Sequence, residues 1–190
     1  MWAVCAFAGL RLGEVSALQP DDIDFLARKI HVRRQAQKTP GGGLDIRLPK
    51  YRSERSIDVP EELLAMLAHH SRCSHIAGWV FGFDRAAHPN TIEHQWRKAK
   101  KSAGITRTMQ MHDLRHFAAS GLITSGCDVV TVQKALGHAS PTVTLSTYAH
   151  MWPNAGDRIR AASGALWIQT RDYVGTTDPA KASAEHAAKA

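Results

Sequence analysis

The string HDLRH at residues 112–116 groups side chains that could act on a ligand. On a helix, His112 and Arg115 project from one face because they are three residues apart, and His116 joins that face four residues after His112. The string also resembles the zinc-binding motif H-E-x-x-H, with Asp113 in place of the glutamate. A zinc hydrolase is disfavoured because aspartate reaches less far as a base, no downstream glutamate stands out as a third ligand, and an adjacent arginine would repel the metal.

Four other side chains carry reactive groups but also have ordinary structural interpretations. Arg11 in AGLRLGE lies at a joint between two predicted helices, where it could bond free carbonyl groups, and Lys50 in LPKYRSE could be a turn lysine. His138 follows Gly137 at a predicted helix end, where a basic side chain is favoured. Tyr148 in STYAH is typical of a helix boundary, with a buried ring and a hydrated hydroxyl. Taken singly, these motifs do not specify a function.

The elements that position the first of these side chains follow from apolar spacing and turn residues. One helix ends near Gly9, and LGEVSAL at 12–18 predicts a second short helix, with Arg11 between them. The segments KIHVRRQAQ, LDIRLP and RSIDVP predict three short strands of one small antiparallel sheet, joined by TPGGG and KYRSE. Lys50 is therefore expected on the hairpin turn between the second and third strands.

From Pro60 onward the pattern is helical. An apolar stripe predicts one helix behind Pro60, and a second helix near Asn90 turns a basic run outward before it ends at Gly104. Three more helices fit HDLRHFAASGLITSG, VVTVQKALG and SPTVTLSTYAH, and another fits NAGDRIRAASGALWI. The apolar stripe consists of Leu63, Leu64 and Leu67, and the basic run of Arg97, Lys98, Lys100 and Lys101.

These elements predict an α+β fold that is mostly helical, in one domain. We expect that domain to cover residues 1–170 and a polar, flexible tail to cover residues 171–190, because the end of the chain has no apolar period. A length of 190 residues is sufficient for one domain with a sizeable core.

The charge of the chain favours a polyanionic partner. Its 24 Lys and Arg residues against 17 Asp and Glu give a formal charge of +7 and a pI near 9.6. Nucleic acid is therefore the leading class of partner. The basic run of the second helix is interpreted either as a solvated face or as a contact to phosphates.

The cysteines and the first residues indicate where the protein acts. Cys5, Cys73 and Cys127 are odd in number and lack a CxxC spacing, which predicts a reduced, cytoplasmic environment. The start, MWAVCAFAGLRLGE, is too short an apolar segment to span a bilayer and lacks the basic leader of a signal peptide. It is interpreted as part of a buried helix without a cap, so we expect the chain to be a fragment that lacks an upstream part.

In combination, the motifs occur in the order and contexts of one family's catalytic set. The chain resembles the catalytic domain of the tyrosine recombinases, the phage integrase family, over roughly Met1 to Trp167. Many relatives have threonine where this chain has Tyr51. The resemblance also implies an N-terminal core-binding domain and a longer first helix, which we expect to lie upstream of Met1. The positions that carry the resemblance are Arg11, Lys50, His112, Arg115, His138 and Tyr148.

The resemblance implies that Tyr148 attacks a DNA phosphodiester to form a 3′-phosphotyrosyl link. Arg11 and Arg115 would clamp the non-bridging oxygens, on which negative charge grows during attack. A phenol is mostly protonated at neutral pH, so His112 is the candidate acceptor of its proton, and His138 would donate a hydrogen bond to the phosphate. Lys50 would protonate the departing 5′ oxygen, because an ammonium can release a proton and a guanidinium effectively cannot.

The implied reaction needs no cofactor and no metal ion, because the link conserves the energy of the broken bond and the clustered cations take the metal's place. The implied role is DNA integration or site-specific recombination, with double-stranded DNA as the partner and four protomers at synapsis. One alternative from a different class is a DNA-binding remnant that occupies sites without cutting them. The zinc hydrolase that HDLRH could form is the other alternative.

Overall fold

The computed structural model of the chain describes residues 1–73, 78–82, 84–152 and 155–174. Residues Met1–Met151 form one compact unit, and the chain from Trp152 onward belongs to a second. The predicted fold class is confirmed, because helices predominate and the strands form small antiparallel sheets. In the described part of the chain no helix is long and apolar enough to cross a membrane.

Two short helices form the start of the first unit. They are α1 (Trp2–Phe7) and α2 (Leu12–Ser16), as the sequence predicted. Gly9 turns the chain between them at a φ of 65°, a conformation that costs glycine little because it has no Cβ. A Cβ at Gly9 would also lie 3.0 Å from Cδ2 of Leu136, so the joint packs closely on another part of the chain.

Five short strands form two separate antiparallel sheets. The strands β1 (Ile23–Asp24), β2 (Lys29–Val32) and β5 (Arg55–Asp58) pair in the order β1-β2-β5. The strands β3 (Gln35–Lys38) and β4 (Leu44–Arg47) pair with each other.

The prediction of one sheet from three strands is therefore wrong in detail. The predicted first strand breaks at Arg33 and Arg34, whose guanidinium groups turn to the buried carboxylate of Asp22 at N–O distances of 3.4 and 2.6 Å. Its second half, β3, pairs with β4 instead of continuing the first sheet. The turn that carries Lys50 consequently connects two sheets and is not a hairpin between paired strands.

The predicted helices after Pro60 are confirmed, with small changes at their ends. They are α3 (Glu61–Cys73), α4 (Pro89–Ser102), α5 (Met111–Thr124), α6 (Val129–Leu136) and α7 (Pro141–Tyr148). The side chain of Asp128 caps α6 by accepting hydrogen bonds from the amides of Val130 and Thr131. Gly137 ends α6 in the left-handed conformation, with a φ of 63°.

The basic run on α4 is only partly exposed. Arg97, Lys98 and Lys101 face solvent as predicted. Lys100 is an exception, because its Nζ donates a 2.6 Å hydrogen bond to the carbonyl oxygen of Met109 and the side chain is half-buried. The Nε1 of Trp96 donates to the same oxygen at 3.2 Å, so this face of α4 holds the segment that leads into α5.

The core of the first unit lies between the first sheet and the helices around it. Helix α1 packs on α5 and α3, and helix α6 packs on α5, α7 and β5. The three leucines of the predicted stripe on α3 are buried. The fully buried apolar side chains include Val4, Leu10, Val15, Leu18, Ile30, Ile92, Val132 and Leu136.

The second unit contains helix α8, which covers Ala155–Val174. This helix continues four residues into the segment 171–190 that the sequence predicted as a tail. The rest of that predicted tail, 175–190, lies outside the described residues.

We predict that Leu10→Ala lowers the free energy of unfolding by about 2–5 kcal/mol, because truncating a buried leucine loses apolar burial and leaves a cavity. Leu10 is 1% exposed between the two first helices. Urea denaturation followed by far-UV circular dichroism measures the change.

Leu26→Ala is the matched control, because Leu26 is 98% exposed. Its effect should stay within about 0.5 kcal/mol, as is usual for surface substitutions. Equal losses from the two variants would contradict the packing described for Leu10.

Candidate active site

Arg115 is buried at the centre of the candidate site. It is 3% exposed, and its guanidinium donates hydrogen bonds to the carbonyl oxygens of Gly9 and Leu136. It therefore joins α5 to the α1–α2 turn and to the end of α6. Burial, followed by repulsion from Arg11, lowers the pKa of Arg115 to about 9, which still leaves it charged at neutral pH.

Arg11 reaches the same end of α6 from the other side. Its Nη2 donates to the carbonyl oxygen of Gly137 at 3.0 Å, next to the Leu136 carbonyl that Arg115 binds. Its Nη1 donates to Oε1 of Glu14 at 2.9 Å, and its backbone amide donates to Oε2 at 2.8 Å. The two arginines that the sequence selected are thus brought together at one helix end.

Arg55 is a third arginine at this helix end, and the sequence reasoning did not select it. Its Nε donates to the carbonyl oxygen of Ala135 at 2.9 Å. Its Nη1 and Nη2 bind the two carboxylate oxygens of Glu14 at 3.0 and 2.9 Å. A Cβ on Gly137 would lie 2.7 Å from Nη1 of Arg55, so glycine leaves the room that this guanidinium occupies.

Glu14 is the buried carboxylate that holds two of these arginines. Its side chain is fully buried, with 0% exposure, and it binds Arg55 and Arg11 at 2.9 Å each. Burial opposes its ionisation, but the hydrogen bonds and charge of Arg55, and then those of Arg11, outweigh burial and lower the pKa of Glu14. Glu14 is therefore ionised at neutral pH and fixes the position of Arg11.

His138 is the next residue after Gly137, so it directly follows the helix end that the three arginines bind. Its Nδ1 lies 2.9 Å from Oγ1 of Thr144, a side chain of α7 that is completely buried. Burial, followed by the charges of Arg115 and Arg11, lowers the pKa of His138 to about 4. At neutral pH the imidazole is uncharged and still has one N–H to donate.

Tyr148 is the last residue of α7, and its hydroxyl forms a hydrogen bond with a histidine of α5. The residue is 5% exposed, and its Oη is 2.5 Å from Nδ1 of His116. Burial raises the pKa of Tyr148, although the charge of Arg115 acts in the opposite direction. The phenol is therefore protonated at neutral pH.

His112, the residue predicted to accept the phenol proton, contacts the ring of His116, and His116 in turn contacts the Tyr148 hydroxyl. Its ring is perpendicular to the ring of His116, with centroids 4.7 Å apart. Desolvation, followed by the neighbouring His116 and Arg115, lowers the pKa of His112, although its side chain remains partly accessible.

A cavity of about 510 Å³ opens beside Arg11, His112 and Arg115. Its other wall is formed by α4 and by the segment before α5, with Trp96, Arg97, Lys100 and Met109 among the lining residues. Three arginines and a lysine make this cavity suitable for an anion. Across the described ranges, no three His, Cys, Asp or Glu side chains are grouped as a metal site.

Among the described residues, no hydrogen bond or ion pair joins Lys50 to the other five predicted site residues. It is exposed at the start of a 3-10 turn, Lys50–Arg52, between β4 and β5. Tyr51 within this turn has a φ of 59°, which makes the turn sharp. The turn leads directly into β5, so Lys50 is five residues along the chain from Arg55.

The sequence contained signals for some of the residues it did not select. Glu14 follows Arg11 by three residues on a short helix, a spacing that allows an ion pair. The spacing of HDLRH places His116 on the helical face of His112 and makes it a possible zinc ligand, but it does not indicate a contact with Tyr148. Arg55 gave no signal, because an arginine at the start of a short strand is usually a solvated side chain.

Known proteins with similar sequences include integrases, tyrosine recombinases and a transposase. A family model, that of the phage integrase family, matches residues 1–154. ICEBs1 integrase of Bacillus subtilis is 28% identical over 167 residues, covering 80% of this chain and 45% of that protein. Transposase A from transposon Tn554 of Staphylococcus aureus is 33% identical over 155 residues, covering 75% of this chain and 40% of the transposase. The chain spans about half the length of the curated relatives it matches.

Solved structures show the same fold. The Tn1549 transposon integrase, solved in complex with transposon right end DNA, has a TM-score of 0.71 and 22% identity, covering 87% of this chain and 57% of that one. The XerA recombinase has a TM-score of 0.60 and 24% identity, covering 89% of this chain and 56% of that one. At these sequence identities, the two structures show that the chain shares their fold.

We predict that Arg55→Met lowers the free energy of unfolding by about 3 kcal/mol at pH 7, because it leaves the buried carboxylate of Glu14 with Arg11 alone. A depressed pKa stabilises the fold above the ordinary glutamate pKa of 4.5, and that stabilisation is lost as the pH falls through the lowered value. The difference in free energy of unfolding between the parent and Arg55→Met should therefore become smaller as the pH falls below 4.5.

Lys29→Met is the control, because Lys29 and Asp58 form an exposed ion pair at 2.8 Å. This variant should lose no more than about 1 kcal/mol. Urea denaturation at pH 7 and at lower pH measures both variants. A loss for Arg55→Met as small as that of the control would show that the buried pair does not support the site.

Proposed function

The chain belongs to the phage integrase family, and we propose that it breaks and rejoins DNA strands at specific sites through a 3′-phosphotyrosyl intermediate on Tyr148. The observation that carries this proposal is the convergence of Arg11, Arg115 and His138 on the end of α6, with the Tyr148 hydroxyl held by the residue after Arg115. Such a group of donors next to a phenol suits attack on a phosphodiester.

The two arginines have donors left for a phosphate. A guanidinium has five N–H bonds. In the contacts among described residues, Arg11 uses two of them on Glu14 and Gly137, and Arg115 uses two on Gly9 and Leu136. The remaining donors of both can bind the non-bridging oxygens, whose charge grows in the transition state.

His138 and His112 complete the phosphate site in this proposal. With Thr144 donating to Nδ1 of His138, the Nε2–H of a neutral imidazole is the donor to the phosphate. His112 lines the same cavity as Arg11 and Arg115, so its ring is placed to contact a bound phosphate. Both histidines have lowered pKa values and act as neutral groups at pH 7.

Lys50 is proposed as the acid that protonates the departing 5′ oxygen. The role rests on the family resemblance and on the exposure of the Lys50 turn, which leaves the ammonium accessible to a bound strand. Because this oxygen is a poor leaving group without a proton, loss of the ammonium should slow cleavage.

DNA is the proposed partner, with four protomers at synapsis. The formal charge of +7 and the exposed Arg97, Lys98 and Lys101 on α4 support contacts to phosphates. The second candidate function is DNA binding without cleavage. It needs the same basic surface, the exposed Arg97, Lys98 and Lys101 on α4, but no reaction at Tyr148.

We predict that the parent chain forms a covalent adduct with a nicked suicide DNA at low salt, with or without EDTA, and that Tyr148→Phe forms none. The phenylalanine lacks the oxygen that bonds to phosphorus. It should change the free energy of unfolding by no more than about 1.5 kcal/mol, because only a hydroxyl is lost. Denaturing gel electrophoresis detects the adduct, and a salt titration measures DNA binding.

Tyr51→Phe is the matched control, since Tyr51 is 80% exposed, and it should give the parent's adduct. An undiminished band from Tyr148→Phe would remove Tyr148 as the nucleophile. If the parent binds DNA in a salt-sensitive way but forms no adduct, the second candidate function, DNA binding without cleavage, is favoured.

We also predict that Lys50→Ala slows cleavage of an ordinary strand by about 10²–10⁴-fold, the usual contribution of a general acid. The variant should cleave a strand whose 5′ bridging oxygen is replaced by sulfur nearly as fast as the parent does, because sulfur leaves without a proton. Lys38→Ala serves as the control, because Lys38 is also an exposed lysine and lies at the end of β3. Equal slowing by Lys50→Ala on both substrates would reject the assignment.

A further inference from the structure

The hydroxyl of Tyr148 has a specific partner on α5. Its Oη is 2.5 Å from Nδ1 of His116, and the two rings meet edge to face with centroids 5.6 Å apart. Tyr148 is 5% exposed and His116 is half-buried, so little water can reach this hydroxyl. The hydroxyl therefore faces an imidazole nitrogen rather than bulk water, and that nitrogen can accept the phenol proton in one of its two tautomers.

The geometry distinguishes His116 from His112. Both belong to the first turns of α5, but the imidazole nitrogen in contact with the phenol is on His116. His112 meets the ring of His116, with centroids 4.7 Å apart, and lines the cavity next to the arginines. Its position suits a contact to the phosphate, while the position of His116 suits proton transfer from the nucleophile.

We infer that His116 is the general base that takes the proton of Tyr148 during strand cleavage. The bond between Oη and phosphorus forms as the phenolic O–H breaks, and the proton moves to the lone pair on Nδ1 to give an imidazolium. The bond from phosphorus to the 5′ oxygen breaks, and that oxygen takes a proton from Lys50. On resealing, the 5′ hydroxyl attacks phosphorus and gives its proton to the Lys50 amine, while the bond from phosphorus to Oη breaks and the imidazolium returns its proton to the departing phenolate.

This inference rests on the proposed function, because it needs Tyr148 to be the nucleophile. It also requires a tautomer of His116 that carries its proton on Nε2, since only an unprotonated Nδ1 can accept. Burial of the phenol makes spontaneous ionisation harder, which increases the need for a base at this position. Because His116 follows Arg115 directly, one helical turn sets both the base and the phosphate clamp.

Two substitutions separate proton transfer from simple positioning. Asparagine in His116→Asn can accept a hydrogen bond near the place of Nδ1 but cannot hold the proton, and phenylalanine in His116→Phe can do neither. Both should slow single-turnover formation of the Tyr148 adduct by about 10²–10⁴-fold, with DNA binding unchanged. His150→Asn and His150→Phe are the controls, because His150 is exposed two residues after Tyr148 and should tolerate both changes.

A rate for His116→Asn within a few-fold of the parent rate would overturn the inference, since the residue would then only position the phenol. A parent that forms no Tyr148-dependent adduct would instead overturn the proposed function and the inference with it.

A measurement on the folded parent without DNA keeps the test independent of the variants' folding. The ¹⁵N chemical shift of the His116 ring nitrogens should show an unprotonated Nδ1 that responds to Tyr148→Phe. A protonated Nδ1 in the neutral ring would overturn the inference.

Discussion

Three consecutive carbonyl groups at the end of α6 organise the site, because each accepts a hydrogen bond from a different arginine. Ala135 is bound by Arg55, Leu136 by Arg115 and Gly137 by Arg11. The last carbonyls of a helix have no partner within it and carry the negative end of its dipole, so they favour cations. Strand β5, helix α5 and the α1–α2 turn are thereby held at one point, although they are far apart in the sequence.

This arrangement concentrates more positive charge than it neutralises. Glu14 is the buried carboxylate that faces Arg11 and Arg55, and Arg115 donates to backbone oxygens alone in the contacts described. Burial is the largest cause of the lowered pKa values of His138 and His112, and the nearby positive charges lower them further. A phosphate would relieve the repulsion between the arginines, so the cluster is disfavoured without an anion and complementary to one. The stability that Glu14 and the helix end supply is what allows the cations to remain close together.

The sequence predicted the helices well because each has a local signal. Gly137 and Asp128 mark the ends of α6, and Pro141 marks the start of α7. The sheets were harder to predict, since the break at Arg33 and Arg34 depends on a carboxylate, Asp22, that only the folded chain brings near. Arg55 could not be found for the same reason: its partners lie 41 and 80 residues away in the chain.

Two adjacent residues of α5 contact the chain just before α7 and the last residue of α7. Helix α7 begins at Pro141, shortly after His138, ends at Tyr148 and packs against α6. Arg115 fixes the end of α6 just before α7, and His116 fixes the hydroxyl at the far end of α7. Helix α7 itself has eight residues, which gives it a length of roughly 12 Å at 1.5 Å per residue. Because neighbouring residues of one helix make both contacts, the position of α5 determines where the end of α6 and the Tyr148 hydroxyl lie.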